Sequence, residues 1–259
     1  MSYVDAHIHL ADERYSGKVE QVIQDATERD VSKMLSNAVD YETSLQTIQL
    51  AKQYPGRVLA AIGVHPSTVI FKPTNNLHLE EFEGMIQENS GYVRAIGEIG
   101  LDGKYIQNDE GRARQLQVFR YFLQLAEKFN LPVVVHSRQA VEETLNTLTE
   151  FHLRKVLMHW YDGPMENLRA MSDRGYLISI GPALLYSRKI TEIARTAELN
   201  MILTETDGPV SYRGLFQDQL TQPSFVIQVV RKLAEIKSIG LESIRDAALL
   251  NFQRFISST

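Results

Sequence analysis

Eight short runs rich in valine, isoleucine and leucine recur along the chain. They begin near Tyr3, Ser32, Val58, Val93, Pro132, Lys155, Gly175 and Met201, and read YVDAHIH, SKMLSNAV, VLAAIGV, VRAIGEIG, PVVVHS, KVLMHW, GYLISIG and MILTETD. Apolar stretches of this length are the signature of strands buried on both faces of a parallel sheet. Helical patterns fill the gaps. Val19, Val22, Ile23 and Ala26 share one face over Val19–Glu28, and Leu45, Ile48 and Ala51 continue the pattern in the next crossover. Leu116, Phe119, Phe122, Leu123 and Ala126 do the same over Arg114–Phe129, with Asp109 and Glu110 placed to favour a helix N-terminus and Asn130 to end it. Phe225–Ile236 and Leu241–Phe255 predict two closing helices. Eight strands, each followed by a helix or loop, predict a (β/α)8 barrel that uses residues 1–259 as a single domain. The rival is an open doubly wound sheet, which would carry a glycine-rich phosphate turn after its first strand. His7-Ile8-His9-Leu10 stands there instead.

Composition narrows the chemistry. The 259 residues include no cysteine, so disulfides, thiolate metal sites and a cysteine nucleophile are excluded. A hydrophobic content of 44% excludes a disordered chain, and a formal charge of −5 argues against a protein that coats nucleic acid. No run is long enough to span a membrane and no signal-peptide pattern opens the chain, so a cytoplasmic protein without an obligate protein partner is expected.

The polar residues fall at strand ends. His7 and His9 close the first run, His65 follows the third, Glu98 ends the fourth, and His136 and Arg138 end the fifth. His159 ends the sixth, and Glu205 and Asp207 the eighth. In a barrel these ends converge at the C-terminal mouth, where active sites are built. Alternation along a strand places Asp5, His7 and His9 on one face, and Glu205 with Asp207. Buried imidazoles and carboxylates are costly unless compensated. Metal coordination by His7, His9, Glu98, His136, His159 and Asp207 is the simplest compensation, with donors enough for two divalent ions. Nitrogen-rich ligands suit zinc or manganese better than magnesium. Asp5 is expected behind the ligands, and Glu205 either there or positioning substrate. His78 and His152 read as surface residues, Arg112 and Arg114 as solvated. Trp160 and Tyr161 either stack on substrate or plug the rim, and Gly97 and Gly100 free the backbone around Glu98. Tyr212-Arg213 either reaches an anionic group or simply carries an exposed arginine.

These residues resemble the TatD family of metal-dependent hydrolases in the amidohydrolase-like superfamily. The matching segments are Asp5-Ala6-His7-Ile8-His9, Gly63-Val64-His65-Pro66, Gly97-Glu98-Ile99-Gly100-Leu101-Asp102, Pro132–Arg138, Leu203–Pro209 and Asn251-Phe252. The resemblance implies phosphodiester hydrolysis of DNA, of the 3′–5′ exonuclease type, by water activated on two divalent ions (Zn, Mn or Mg). It puts His7, His9, Glu98, His136, His159 and Asp207 on metal positions, with Glu98 bridging. Asp207 and Glu98 become the catalytic carboxylates, and His65 and Arg138 fall where substrate phosphate is held. The chain departs from the family in His159-Trp160-Tyr161-Asp162-Gly163, where His-Cys-Phe-Ser-Gly is usual. It also lacks an aromatic after Asp102 and a basic run after Pro209. A metal-dependent ester or amide hydrolase, such as an aminoacyl-tRNA deacylase or a small-molecule amidohydrolase, is therefore the alternative. A scaffold protein would have lost ligands, and all six are present.

Overall fold

The computed structural model describes residues 2–106, 108–153 and 155–257. Each apolar run becomes a parallel strand: β1 Tyr3–Ile8, β2 Val31–Asn37, β3 Val58–Ile62, β4 Val93–Gly100, β5 Val133–His136, β6 Val156–Met158, β7 Leu177–Ile180 and β8 Ile202–Thr204. They pair in sequence order, β1 to β8. The last gap closes through a parallel bridge between Ile8 and Gly208 and a bond from Thr204 Oγ1 to the Val4 carbonyl. The Asp207 N–H donates to the His7 carbonyl at 2.8 Å, and the His9 N–H to the Gly208 carbonyl at 2.7 Å. The architecture is the expected (β/α)8 barrel.

The described helices are α1 Val19–Glu28, α2 Tyr41–Gln53, α3 Pro66–Phe71, α4 Phe82–Glu88, α5 Asp109–Phe129, α6 Val141–Leu148, α7 Asn167–Asp173, α8 Arg188–Thr196, α9 Val226–Lys237 and α10 Leu241–Ile256. Their ends follow local chemistry. At α2 the Asp40 carboxylate accepts the Thr43 N–H at 2.9 Å while Thr43 Oγ1 accepts the Asp40 N–H at 3.0 Å, a reciprocal cap that satisfies two end donors. Helix α5 starts earlier than Arg114, because Asn108 caps it by accepting the Gly111 N–H at 2.8 Å. It stops at Asn130, whose left-handed φ of 53° turns the chain toward β5. Between those ends it buries Phe119, Phe122 and Leu123 against the sheet. Burial of each such side chain contributes about 1.5–3 kcal/mol.

Val4, Ala6, Leu35, Leu59, Ala61, Ala95, Val134, Leu157 and Leu203 form one cluster inside the barrel, joined by Phe252 and Phe255 of α10. This packed layer lies below the polar mouth. It also corrects the strict alternation expected for β1, since Val4 and Ala6 line the interior. The β1–β2 register shifts between Asp5 and Ile8, and the β3–β4 and β4–β5 pairings shift as well, the latter between Ile96 and Ile99. A bulge re-aims a side chain, and these irregularities fall where His7 and Glu98 turn into the mouth. Strand β8 ends at Thr204, so Glu205 and Asp207 belong to the loop beyond it. Among the described residues, no helix is long and apolar enough to cross a membrane.

Candidate active site

The mouth gathers His7, His9, His65, Glu98, His136, His159 and Asp207 into one constellation around Glu98, which is 2% exposed. The two oxygens of Glu98 face different sets. Oε2 lies 3.4 Å from both His7 Nε2 and His9 Nε2. Those nitrogens are 3.1 Å apart, and Asp207 Oδ1 is 3.3 Å from the first and 3.2 Å from the second. Oε1 lies 2.6 Å from His136 Nδ1, 2.8 Å from His159 Nε2 and 3.2 Å from His65 Nε2. His7 and His159 stack across the two sets with ring centroids 3.9 Å apart.

Hydrogen bonds on the far sides of the rings fix what each ring presents. His9 Nδ1 is 2.9 Å from the Asn37 carbonyl, which can only accept; the hydrogen is therefore on Nδ1 and the Nε2 lone pair faces inward. His136 Nε2–H donates to Asp102 Oδ2 at 2.8 Å, so its Nδ1 lone pair points at Glu98 Oε1. Two acceptors 2.6 Å apart require positive charge between them, either a proton or a cation. His65 is the opposite case. Its Nδ1 accepts the Ser67 N–H at 3.0 Å, which leaves Nε2–H as a donor aimed into the mouth.

These distances fit metal ions. Ligand atoms about 2.0–2.1 Å from a tetrahedral centre stand about 3.3–3.4 Å from each other, close to the 3.1–3.4 Å spacings around Glu98 Oε2. His7, His9 and Glu98 form one group able to hold an ion, and His7, His159 and Asp207 another. His65, Glu98 and His136 form a third by proximity, although the donor tautomer of His65 suits an anion better.

The electrostatics of the site agree. Burial opposes ionisation of Glu98, but the surrounding histidines outweigh it and hold its pKa well below the usual carboxylate range. Asp207 is lowered in the same way, against burial, by bonds from His7 and His9. Burial also opposes charge on His159, yet Glu98 and Glu205 raise its pKa well above that of free imidazole. A site that stabilises both carboxylate and imidazolium forms is built to hold cations.

The other expected residues take more specific places. Asp5 is buried and bonds no imidazole; it accepts the Thr206 N–H at 2.9 Å and the Thr206 hydroxyl at 2.5 Å, anchoring the loop that carries Asp207. Burial pushes its carboxyl well up. Glu205 is fully buried, which corrects the expectation that it touches substrate. It accepts the Trp160 N–H at 2.9 Å and the Ser179 hydroxyl at 2.5 Å, behind His159. Tyr161 is buried and donates to the Pro164 carbonyl, whereas Trp160 is only half-buried. Tyr212 is buried too, while Arg213 is exposed. His78 pairs with Glu81 at the surface and His152 is exposed. Arg112 is exposed and paired with Glu143, and Arg114 is half-buried, donating to the Lys72 carbonyl. Arg138 lines the mouth, but its Nε and Nη2 both donate to Asp102 Oδ2, at 3.0 and 2.6 Å.

Asp102 is the residue to which sequence reasoning gave no role. It is fully buried and holds both His136 and Arg138. Burial opposes its ionisation, but those two partners lower its pKa to about 2. The available signal was a carboxylate two residues past Gly100, at the end of the fourth apolar run. Asp102→Asn is expected to cost 10- to 100-fold in metal affinity and in activity, because a partner behind a ligand sets its tautomer and basicity. Metal titration with isothermal calorimetry checks this; an unchanged affinity would show that Asp102 serves Arg138 alone.

A (β/α)8 barrel whose mouth holds clustered histidines and carboxylates has the make-up of a metal-dependent hydrolase. The comparisons with known proteins give its family. A family model described as TatD related DNase matches residues 4–257. An uncharacterized metal-dependent hydrolase of Methanocaldococcus jannaschii is 31% identical over 255 residues, spanning 98% of this chain and 97% of its own length. The human deoxyribonuclease TATDN3 is 30% identical over 258 residues, spanning 96% and 92%. The crystal structure of Escherichia coli YjjV, a TatD homologue, superposes with a TM-score of 0.90 at 27% identity, covering 99% of this chain and 98% of that one. The chain belongs to the TatD related DNase family and is a metal-dependent hydrolase.

Proposed function

We propose that this hydrolase cleaves phosphodiester bonds in DNA, releasing nucleotides from the 3′ end, at a centre of two divalent cations bridged by Glu98. The observation that carries this reading is the division of Glu98, with one oxygen toward His7 and His9 and the other toward His136 and His159. On this reading His7, His9 and Asp207 would hold one ion and His136 and His159 the other, with Glu98 shared between them. The nitrogen-rich set favours zinc or manganese over magnesium. Bound there, the pair supplies Lewis acidity, acidifying water and offsetting the charge that builds on the phosphate oxygens.

The protein's own groups do the rest. Asp207, with its side chain 10% exposed at the mouth, accepts the proton of the water that attacks phosphorus. His65 donates Nε2–H to a phosphate oxygen, its tautomer set by Ser67. Arg138 contributes positive charge. Asp102 holds one edge of the guanidinium through Nε and Nη2, which leaves the outer edge, Nη1 with the second Nη2 hydrogen, to grip phosphate. The name of the human relative supports DNA as substrate. With no cysteine to oxidise, the chain suits the reducing cytoplasm.

The test uses one single strand labelled at its 5′ end and another labelled at its 3′ end, with the protein reconstituted in zinc, manganese or magnesium. The 5′-labelled strand should shorten stepwise, while the 3′-labelled strand should release labelled mononucleotide at once. No cleavage with any metal, alongside turnover of a carboxylic ester or amide panel, would replace this reading with the ester or amide hydrolase.

A further inference from the structure

Trp160 is the single tryptophan of the chain and occupies the position after His159. It lines a cavity of about 220 Å³ at the mouth, together with His136, Arg138, His159, Asp207 and Val210 among others. Pockets that engulf a whole small molecule run from roughly 300 to 1,000 Å³, so this one holds one end of a larger substrate. Its walls divide by chemistry. Arg138 supplies positive charge, Asp162 and Asp207 supply carboxylates, and Trp160 and Val210 offer apolar surface.

The indole is held as a fixed plane. Tyr212 backs it, with ring centroids 5.7 Å apart and planes 23° from parallel. Tyr212 is itself buried and anchored by its hydroxyl, which donates to the Thr206 carbonyl at 2.6 Å. The Trp160 backbone sits at a left-handed φ of 40°, unusual for a bulky residue. Its N–H is pinned by Glu205 Oε1 at 2.9 Å and Ser179 Oγ at 3.1 Å. The neighbouring Tyr161, by contrast, is fully buried in the core and does not line the cavity.

We propose that Trp160 is the stacking platform for the nucleobase joined to the scissile phosphate, and so selects nucleotide substrates by their flat face rather than by base identity. The inference rests on the phosphodiester reading given above. Every base presents a π-face, so such a platform tolerates any sequence. It gives a mildly acidic protein without a broad basic groove a way to recognise nucleic acid. Arg138 and His65 orient the phosphate on one side, and the indole orients the base on the other.

The single tryptophan reads its own contact. Metal-loaded protein is titrated with dAMP, with dTMP and with 2-deoxyribose 5-phosphate, following tryptophan emission. Both nucleotides should quench the emission by about half or more at saturation, and the sugar phosphate should leave it unchanged. Equal quenching by the sugar phosphate, or no quenching by nucleotides that still inhibit hydrolysis, overturns the proposal. In parallel, Trp160→Leu should raise KM for a thymidine dinucleotide about tenfold with a smaller fall in kcat, and Trp160→Phe should recover most of the loss. A Phe variant as poor as the Leu variant overturns it too. The fluorescence arm uses the unaltered chain, so it decides the matter even where a variant fails to fold. Quenching by nucleotides in a protein that cleaves no phosphodiester keeps the platform and sinks the reaction; cleavage without quenching does the reverse.

Discussion

Glu98→Ala is expected to lower phosphodiester hydrolysis by at least about a thousandfold and to reduce bound metal to at most one ion per chain. The size of the effect follows from position. One side chain supplies an oxygen to each of two donor sets, so its truncation removes a ligand from both at once. It also leaves His136 and His159 facing each other at 3.2 Å without the carboxylate between them. Glu98→Gln separates the two halves of the argument. An amide keeps one acceptor oxygen but turns an NH2 donor toward the other set, so one ion should remain while hydrolysis is still lost. Metal content by plasma mass spectrometry, with hydrolysis measured on the same preparations, checks both variants. Wild-type activity in the Ala variant would sink the two-ion reading.

Gly100→Ala is the second large expected effect, and it acts through the backbone. Gly100 has φ of 138°, a region almost closed to residues with a Cβ. It pairs with His136 across the β4–β5 ladder, and a Cβ there would run into the His136 carbonyl oxygen. That carbonyl belongs to a central strand and cannot rotate away. The variant should lose about 3 kcal/mol or more of stability, or about 6 °C or more in Tm for a chain of this size. Gly91→Ala is the matched control, since a Cβ there meets open space. Denaturant unfolding compares the two, and equal midpoints would show that β4 and β5 do not need this close approach. Gly100 thus has a more specific job than freeing the backbone near Glu98.

The barrel was legible because its strands are buried on both faces and read as continuous apolar runs, a pattern that survives without any knowledge of partners. The ligand candidates were legible for a related reason: a histidine or carboxylate that ends such a run has few inexpensive places to go. What escaped depends on pairings between distant segments. Strict alternation placed Asp5 on the face of His7 and His9, but its carboxylate is taken up by the backbone of His7 and by Thr206, across the barrel seam. Glu205 looks like Asp207 in sequence, yet it is spent on Ser179 and the Trp160 N–H. Nothing local reveals Asp102, 36 residues earlier, as the partner of Arg138. The donor tautomer of His65 depends on one turn of backbone at Ser67, which composition does not encode.

The seam of the barrel and its chemistry are the same place. The backbones of His7, His9, Asp207 and Gly208 close the gap between the first and last strands, while the side chains of the first three face the mouth. A cation held by His9 and Asp207 would join positions 198 residues apart, much as a cross-link would. Long-range closure of this kind is what a folding chain achieves last and loses first. On the proposed two-ion reading, loading the site would double as a latch on the ring, and a chelator should loosen the molecule along one line, between β8 and β1, before it touches the rest.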